Sequence, residues 1–190
     1  MLISPVVRLF GLTLFICSGL YTLAALAVAH LANPAGAEGQ LLRGASGQVV
    51  GSRQIAQPFT APAYLWPRPS AVDFNGAGAG GSNLAVSNPA LRARAQADAT
   101  RYGATPDRPL PQELATASGA GLDPHVTLEG ALWQVPRIAA ARGAPEAAVR
   151  ALIERQAEAP GGPLLAVRLI NVLATNIALD AAFPLKSAGG

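Results

Sequence analysis

The chain has 190 residues, of which 51% are hydrophobic and only 13% charged, about half the charged share of an ordinary soluble domain. Its net charge of +3 comes from arginines, with Lys186 the one lysine, and these are scattered among acids, which excludes a dedicated nucleic-acid surface. Cys17 is the only cysteine, which excludes a disulfide framework and a thiolate metal site.

The apolar excess is concentrated near the N-terminus. Leu9 to Ala32 reads LFGLTLFICSGLYTLAALAVAHLA, without Asp, Glu, Lys or Arg. As a helix it is about 36 Å long, enough to cross a hydrocarbon core of about 30 Å with some tilt. Ser4-Pro5 supplies the opening cap and first helical position. Residues 1–33 are therefore predicted to be a transmembrane anchor in contact with membrane lipid, with its span at 9–32. A cleaved signal peptide ending at the small residues Ala35-Gly36-Ala37 is the rival, but a signal's apolar core is normally shorter, about 7–15 residues. Arg8 precedes the span, while Glu38 and Arg43 after it nearly cancel, so the N-terminus is expected in the cytoplasm and the remainder outside. Gly11, Ser18, Thr22, Ala25 and Ala29 are predicted to share one helical face. Their small side chains would let a partner helix approach closely in lipid.

Asn33-Pro34 breaks the helix, and 34–46 reads as a linker. Residues 47–190 are expected to form one extracytoplasmic domain. GQVVGSRQIAQPF, residues 47–59, predicts one or two strands. Residues 61–89 are rich in proline, glycine and asparagine but include Tyr64, Trp66 and Phe74, so they predict a long, ordered loop. Asn88-Pro89 opens a helix through Tyr102, stopped by Gly103. Arg92, Arg94 and Arg101 on that helix read as a solvated face. Pro106, Pro109 and Pro111 make an extended link, and a short helix is expected at Pro111-Gln-Glu-Leu. Thr127 caps a predicted helix from Leu128 to Arg142, ended by Gly143, with Pro136 kinking it or delaying its start. Pro145 begins the next helix, with Val149, Leu152 and Ile153 as its apolar face and Pro160-Gly-Gly-Pro as its end. Residues 164–183 predict a short strand passing into a last helix. Helices and strands alternate without a βαβ rhythm, so the fold class is α+β.

TASGAGLDPH, residues 116–125, places the residue types of a hydrolase triad together in Ser118, Asp123 and His125. The G-x-S-x-G elbow that exposes a nucleophilic serine is missing. Known triads also draw on distant segments. Asp123 and His125 offer two metal ligands where a stable site wants at least three, so no metal is expected. Asp123-Pro124 has the ordinary use of pinning a turn. GAGAGGSN, residues 76–83, lacks the lysine and Ser/Thr of a phosphate loop.

The chain carries VGSRQIAQPF, WPRPSAVDFN, GGSNLAVSNP, TASGAGLDPH, WQVPRIAAARG and NVLATNIALD, in that order, behind one N-terminal span. This series closely resembles the KdpC subunits of bacterial potassium-transporting Kdp ATPases, over nearly the whole chain. Gln54, Ala56, Ala85 and Thr175 depart from that family's usual leucine, glycine, glycine and leucine. The resemblance implies a non-catalytic, single-pass accessory subunit of an ATP-driven potassium uptake complex in the inner membrane, with its main domain in the periplasm. Such a subunit stabilises the channel–pump assembly and supports ATP-coupled K+ transport. The implied partners are a channel-like potassium-translocating subunit and a P-type ATPase subunit, which handle K+, Mg2+ and ATP themselves, so no cofactor is expected on this chain. Gln134 in WQVPR matches a glutamine connected with a nucleotide effect in that family. Tyr64, Trp66, Arg68, Ser70, Asn75, Ser82, Asn83, Ser118, Asp123 and His125 are the candidates for an interface or for loop scaffolding. The alternatives are a membrane-anchored extracytoplasmic serine hydrolase built on Ser118 and His125, and a secreted binding domain cleaved after Ala37.

Overall fold

The computed structural model describes residues 3–162 and 166–185. Pro163 and the first two residues of the expected 164–183 segment lie outside the described residues. The chain divides into two compact units, Met1–Leu41 and Leu42–Gly190.

The first unit holds α1 (Ile3–Leu14), a π-helical stretch (Phe15–Leu20), α2 (Tyr21–Ala32) and the short α3 (Pro34–Ala37). Ser4–Ala32 is one helix of 29 residues with a mean hydropathy of 2.0 in its most apolar window, long and apolar enough to cross a membrane. At 1.5 Å per residue it extends about 43 Å. Its apolar side chains, including Leu9, Phe10, Phe15 and Leu23, are exposed all round, the pattern of a helix that needs an apolar surrounding. The residues of the predicted small-residue face lie on both sides of the π-helical stretch and within it. Ser18 sits inside the π-helical stretch, Gly11 precedes it, and Thr22, Ala25 and Ala29 follow it. Thr22, Ala25 and Ala29 all lie in α2. Asn33 ends α2 and caps α3, its Oδ1 accepting from Gly36 N at 2.9 Å. Residues 34–46 are thus structured in part, because the asparagine that stops one helix starts the next turn.

The second unit contains β1 (Leu41–Arg43), β2 (Val49–Ser52), α4 (Pro89–Tyr102), a 3-10 turn (Gln112–Leu114), β3 (His125–Thr127), α5 (Leu128–Trp133), α6 (Val135–Arg142), α7 (Glu146–Arg155), β4 (Leu169–Asn171) and α8 (Val172–Ala182). β1 pairs with β2, and β3 with β4, giving two small sheets. The fold class is α+β. β3 and β4 run antiparallel with His125 opposite Asn171, Val126 opposite Ile170 and Thr127 opposite Leu169. The strand expected in 47–59 ends at Ser52, since Arg53 onward turns away.

Helix ends follow local chemistry. Asn88, Thr127 and Asn171 cap α4, α5 and α8, accepting from Ala90 N, Gly130 N and Ala174 N, each satisfying an amide the helix cannot pair itself. Gly143 ends α6 at φ 62°, a conformation that glycine adopts without strain. The predicted helix from Leu128 to Arg142 is two helices. Pro136 has no amide hydrogen to give and clashes with the preceding turn, so the break falls at Gln134, between α5 and α6. α7 also ends earlier than expected, at Arg155, because Glu158 pairs with Leu169 beside β4.

The core draws on Leu65, Leu114, Val126, Ile138, Ile153, Ile170 and Leu179, each at most 1% exposed. Burying each such side chain contributes about 1.5–3 kcal/mol. Val149, Leu152 and Ile153 form the buried face of α7, as their spacing predicts. Leu65 belongs to the aromatic–proline loop, so the irregular segment is part of the core.

Candidate functional site

Residues 53–88 contain no helix or strand, yet their backbone groups still need partners wherever water is excluded. Two side-chain amides meet that need. Asn176 of α8 accepts from Leu65 N at 2.8 Å and donates to Leu65 O at 3.0 Å. Gln134, at the α5–α6 break, accepts from Trp66 N at 2.9 Å and donates to Trp66 O at 3.2 Å. Consecutive residues of the loop are thus held as a neighbouring strand would hold them.

Two arginines of α6 complete the hold. Arg137 donates to Tyr64 O, Pro62 O and the Gln134 carbonyl oxygen, and lies 3.7 Å from the Trp66 ring centroid. Burial draws its pKa down to about 10, with Tyr102 opposing and Arg101 reinforcing that shift, so it stays charged at neutral pH. Arg142, its side chain fully buried, donates to Ala63 O, to Leu179 O and Phe183 O at the end of α8, and to Asp180. A cation at a helix C-terminus meets the unpaired carbonyls there. Trp66 packs edge-on against Tyr102 at 5.1 Å, and Tyr102 against Trp133 at 5.8 Å. Burial pushes the Tyr102 hydroxyl up to about 12.

The motifs that are separate in sequence interlock here. Ser118 N donates to Pro69 O, Gly80 N to Ala120 O, and Ala56 N to Leu122 O. Ser70 Oγ donates to Gly121 O at 2.7 Å and accepts from Val72 N and Phe74 N. Gly121 has φ 69°, and a Cβ there would stand 2.5 Å from a Val72 methyl and 2.9 Å from Gly80 O. Side-chain-free backbone at that point is what lets the 116–125 loop approach the 70–81 loop. Arg68 pairs with Asp123 at 3.1 Å, and Asp123 Oδ1 accepts from His125 N. Burial pushes the Asp123 carboxyl up, but the His125 hydrogen bonds and Arg68 outweigh it and hold it below its ordinary value.

The sequence-predicted residues fall into distinct positions. Trp66 and Ser118 are buried. Tyr64, Arg68, Ser70, Ser82, Asp123 and His125 are half-buried, and Asn75 and Asn83 are exposed. Tyr64 reaches Asp180 at 3.4 Å, and Asn75 Oδ1 accepts from Ala77 N. Asn83 takes a left-handed backbone conformation at φ 49°. Gln134 is fully buried, with its side-chain amide engaged by Trp66, Gly130 and Arg137.

The triad reading fails on geometry. Ser118 is 3% exposed, and its hydroxyl accepts from Asp123 N at 3.4 Å. His125 faces Asp123 and Asn171 and forms no hydrogen bond to Ser118. A nucleophile needs its base within hydrogen-bond reach. Among the described residues no group of three or more His, Cys, Asp or Glu is placed to hold a metal.

Sequence reasoning missed Asn176, Arg137, Arg142 and Asn171 as organisers, although all lie in the quoted motifs. The available signal was a lone asparagine in the apolar run LATNIALD, which must find a partner if its face is buried.

Comparison with known proteins agrees with the motif series. A family model described as KdpC: K+-transporting ATPase, c chain, matches residues 3–181. A potassium-transporting ATPase KdpC subunit of Parvibaculum lavamentivorans is 53% identical over 174 residues, covering 92% of this chain and 93% of the relative. One of Xanthomonas campestris pv. campestris is 48% identical over 180 residues, covering 91% and 85%. One of Trichlorobacter lovleyi is 41% identical over 182 residues, covering 94% and 96%.

Proposed function

The chain belongs to the KdpC family, the c chain of K+-transporting ATPases, and from that membership we propose that it is a non-catalytic accessory subunit that stabilises a channel–pump assembly. The partners in this reading are a channel-like potassium-translocating subunit and a P-type ATPase subunit. Those partners bind ATP, Mg2+ and K+, and this chain supplies no cofactor site. The helix at 4–32 anchors it in the inner membrane and lies among partner helices. Arg8, in the first turns of that helix and ahead of its uncharged run, favours a cytoplasmic N-terminus, with the second unit in the periplasm.

The observation that carries the non-catalytic role is the employment of the polar residues in the motif cluster. Gln134, Asn176, Arg142 and Ser70 spend their donors and acceptors on backbone groups of the loops. That is the chemistry of a shaped surface rather than of a reaction centre. In this reading the exposed stretch around Asn75 and Asn83 and the half-buried pair Arg68–Asp123 present that surface to a partner. Any effect of Gln134 on nucleotide affinity passes through loop shape and partner contacts, as a coupling between distant sites.

Purification from membranes through a tag on this chain tests the proposal. A large channel-like protein and a P-type ATPase are expected to accompany it. Recovery of the chain alone, from membranes where both are expressed, sinks the reading. Ser118→Ala separates it from the hydrolase alternative, since the assembly is expected to form and transport potassium without that hydroxyl.

A further inference from the structure

Five buried polar side-chain atoms have no hydrogen-bond partner among the described residues, and three of them belong to one cleft. They are Arg68 Nε, Arg94 Nε and Asp98 Oδ2. The cleft lies between α4 and the loop segments 58–60 and 67–74, and encloses about 250 Å3. Buried polar groups are nearly always satisfied, so a concentration of exceptions needs a physical reason.

Arg94, Asp98 and Arg101 recur at intervals of four and three along α4, which puts them on one face. That face meets Arg68 and Asp73 from the loop. Among the described residues Arg94 has no hydrogen-bond or ion-pair partner. Arg101 reaches Phe59 O, at 3.5 Å, and lies 4.4 Å from the Trp66 ring centroid. Arg68 has one end on Asp123 and leaves its Nε unpaired. Among the described residues neither Asp98 nor Asp73 forms an ion pair within 4.0 Å. Guanidinium and carboxylate groups therefore share one small space while remaining unpaired with each other.

We propose that this cleft binds a small phosphate ester that also carries a hydrogen-bond donor, an ammonium or hydroxyl. The oxygens of a phosphate are spread tetrahedrally and can accept from guanidinium edges lying in different directions, which the two coplanar oxygens of a carboxylate do not. The donor on the same molecule is taken by Asp98, whose buried oxygen lacks one. A cleft of this volume lies below the usual range for drug-sized ligands, about 300–1,000 Å3, and matches a headgroup-sized molecule. Such a group has two sources, a phospholipid headgroup or a free phosphate.

Titration calorimetry on the full-length chain in an uncharged, phosphate-free detergent tests the site. Glycerophosphoethanolamine stands for the headgroup and inorganic phosphate for the free anion. Saturable binding that weakens about tenfold or more in Arg94→Gln supports the site, because losing a charge-assisted fork contact has that order of effect. Tighter binding of the diester, lost in Asp98→Asn, assigns the headgroup as source, whereas Arg94-dependent binding of inorganic phosphate alone assigns the free anion. Since Arg94 has no hydrogen-bond or ion-pair partner among the described residues, its replacement breaks none of those bonds, and Arg94→Lys, which keeps the charge without the fork, is expected to bind between the two. Absence of saturable binding by either probe, or equal binding by Arg94→Gln, overturns the proposal. The outcome is independent of whether the chain brings down partner subunits.

Discussion

Asn176 and Leu65 are joined as two adjacent strands would be, although Asn176 contributes only its side chain. One amide group satisfies both the N–H and the C=O of a loop residue that is fully buried and lies 111 positions away. Gln134 repeats the arrangement on Trp66. Asn176→Ala orphans two buried backbone groups and is expected to cost about 2–4 kcal/mol. Gln134→Ala is expected to cost a similar amount. The double variant should cost less than the sum, since the first substitution already frees the segment the second would release. Denaturant titration followed by the fluorescence of Trp66 and Trp133 measures all three. Full additivity would show that the two amides act on independent segments.

Thr175, next to the clasp, offers a change of opposite sign. Its hydroxyl is fully buried and has no partner among the described residues. Valine has nearly the same shape without the hydroxyl. Thr175→Val is expected to stabilise the chain by about 1–2 kcal/mol by removing an unsatisfied group. An unchanged or lowered denaturation midpoint would contradict this.

Two carboxylates should give opposite pH signatures. Burial holds the Asp98 carboxyl above its ordinary value, against the pull of Arg101 and Arg94. A raised acid favours the folded state while protonated, and that contribution is lost as pH rises through the folded value. Asp98→Asn is therefore expected to be more stable than the parent near about pH 7 and equal to it near about pH 3. Asp123 is the reverse. Burial opposes its ionisation, but His125 and Arg68 prevail and lower it, so its contribution is present above the ordinary carboxylate range and lost as pH falls through the depressed value. Asp123→Asn is expected to be less stable near about pH 7, with the gap closing in acid. Melting curves of both variants across that range check the signs.

The amino-acid sequence by itself determined the features that depend on neighbours along the chain. The uncharged run to Ala32 gave the long apolar helix, Asn88 and Thr127 started helices, Gly143 ended one, and Val149, Leu152 and Ile153 marked a buried face. Capping, turn formation and helical periodicity all act over one or two turns, so their signals are local. The motif series in its order sufficed for the family. Only the tertiary structure decided where Pro136 breaks its helix and that Ser118 and His125 do not meet. It also decided what Gln134 and Asn176 hold. A side-chain amide can pair with any backbone it reaches. Which backbone that is depends on folding Leu65 and Trp66 against helices some 70 to 110 residues further along the chain, and no local pattern encodes a contact of that separation.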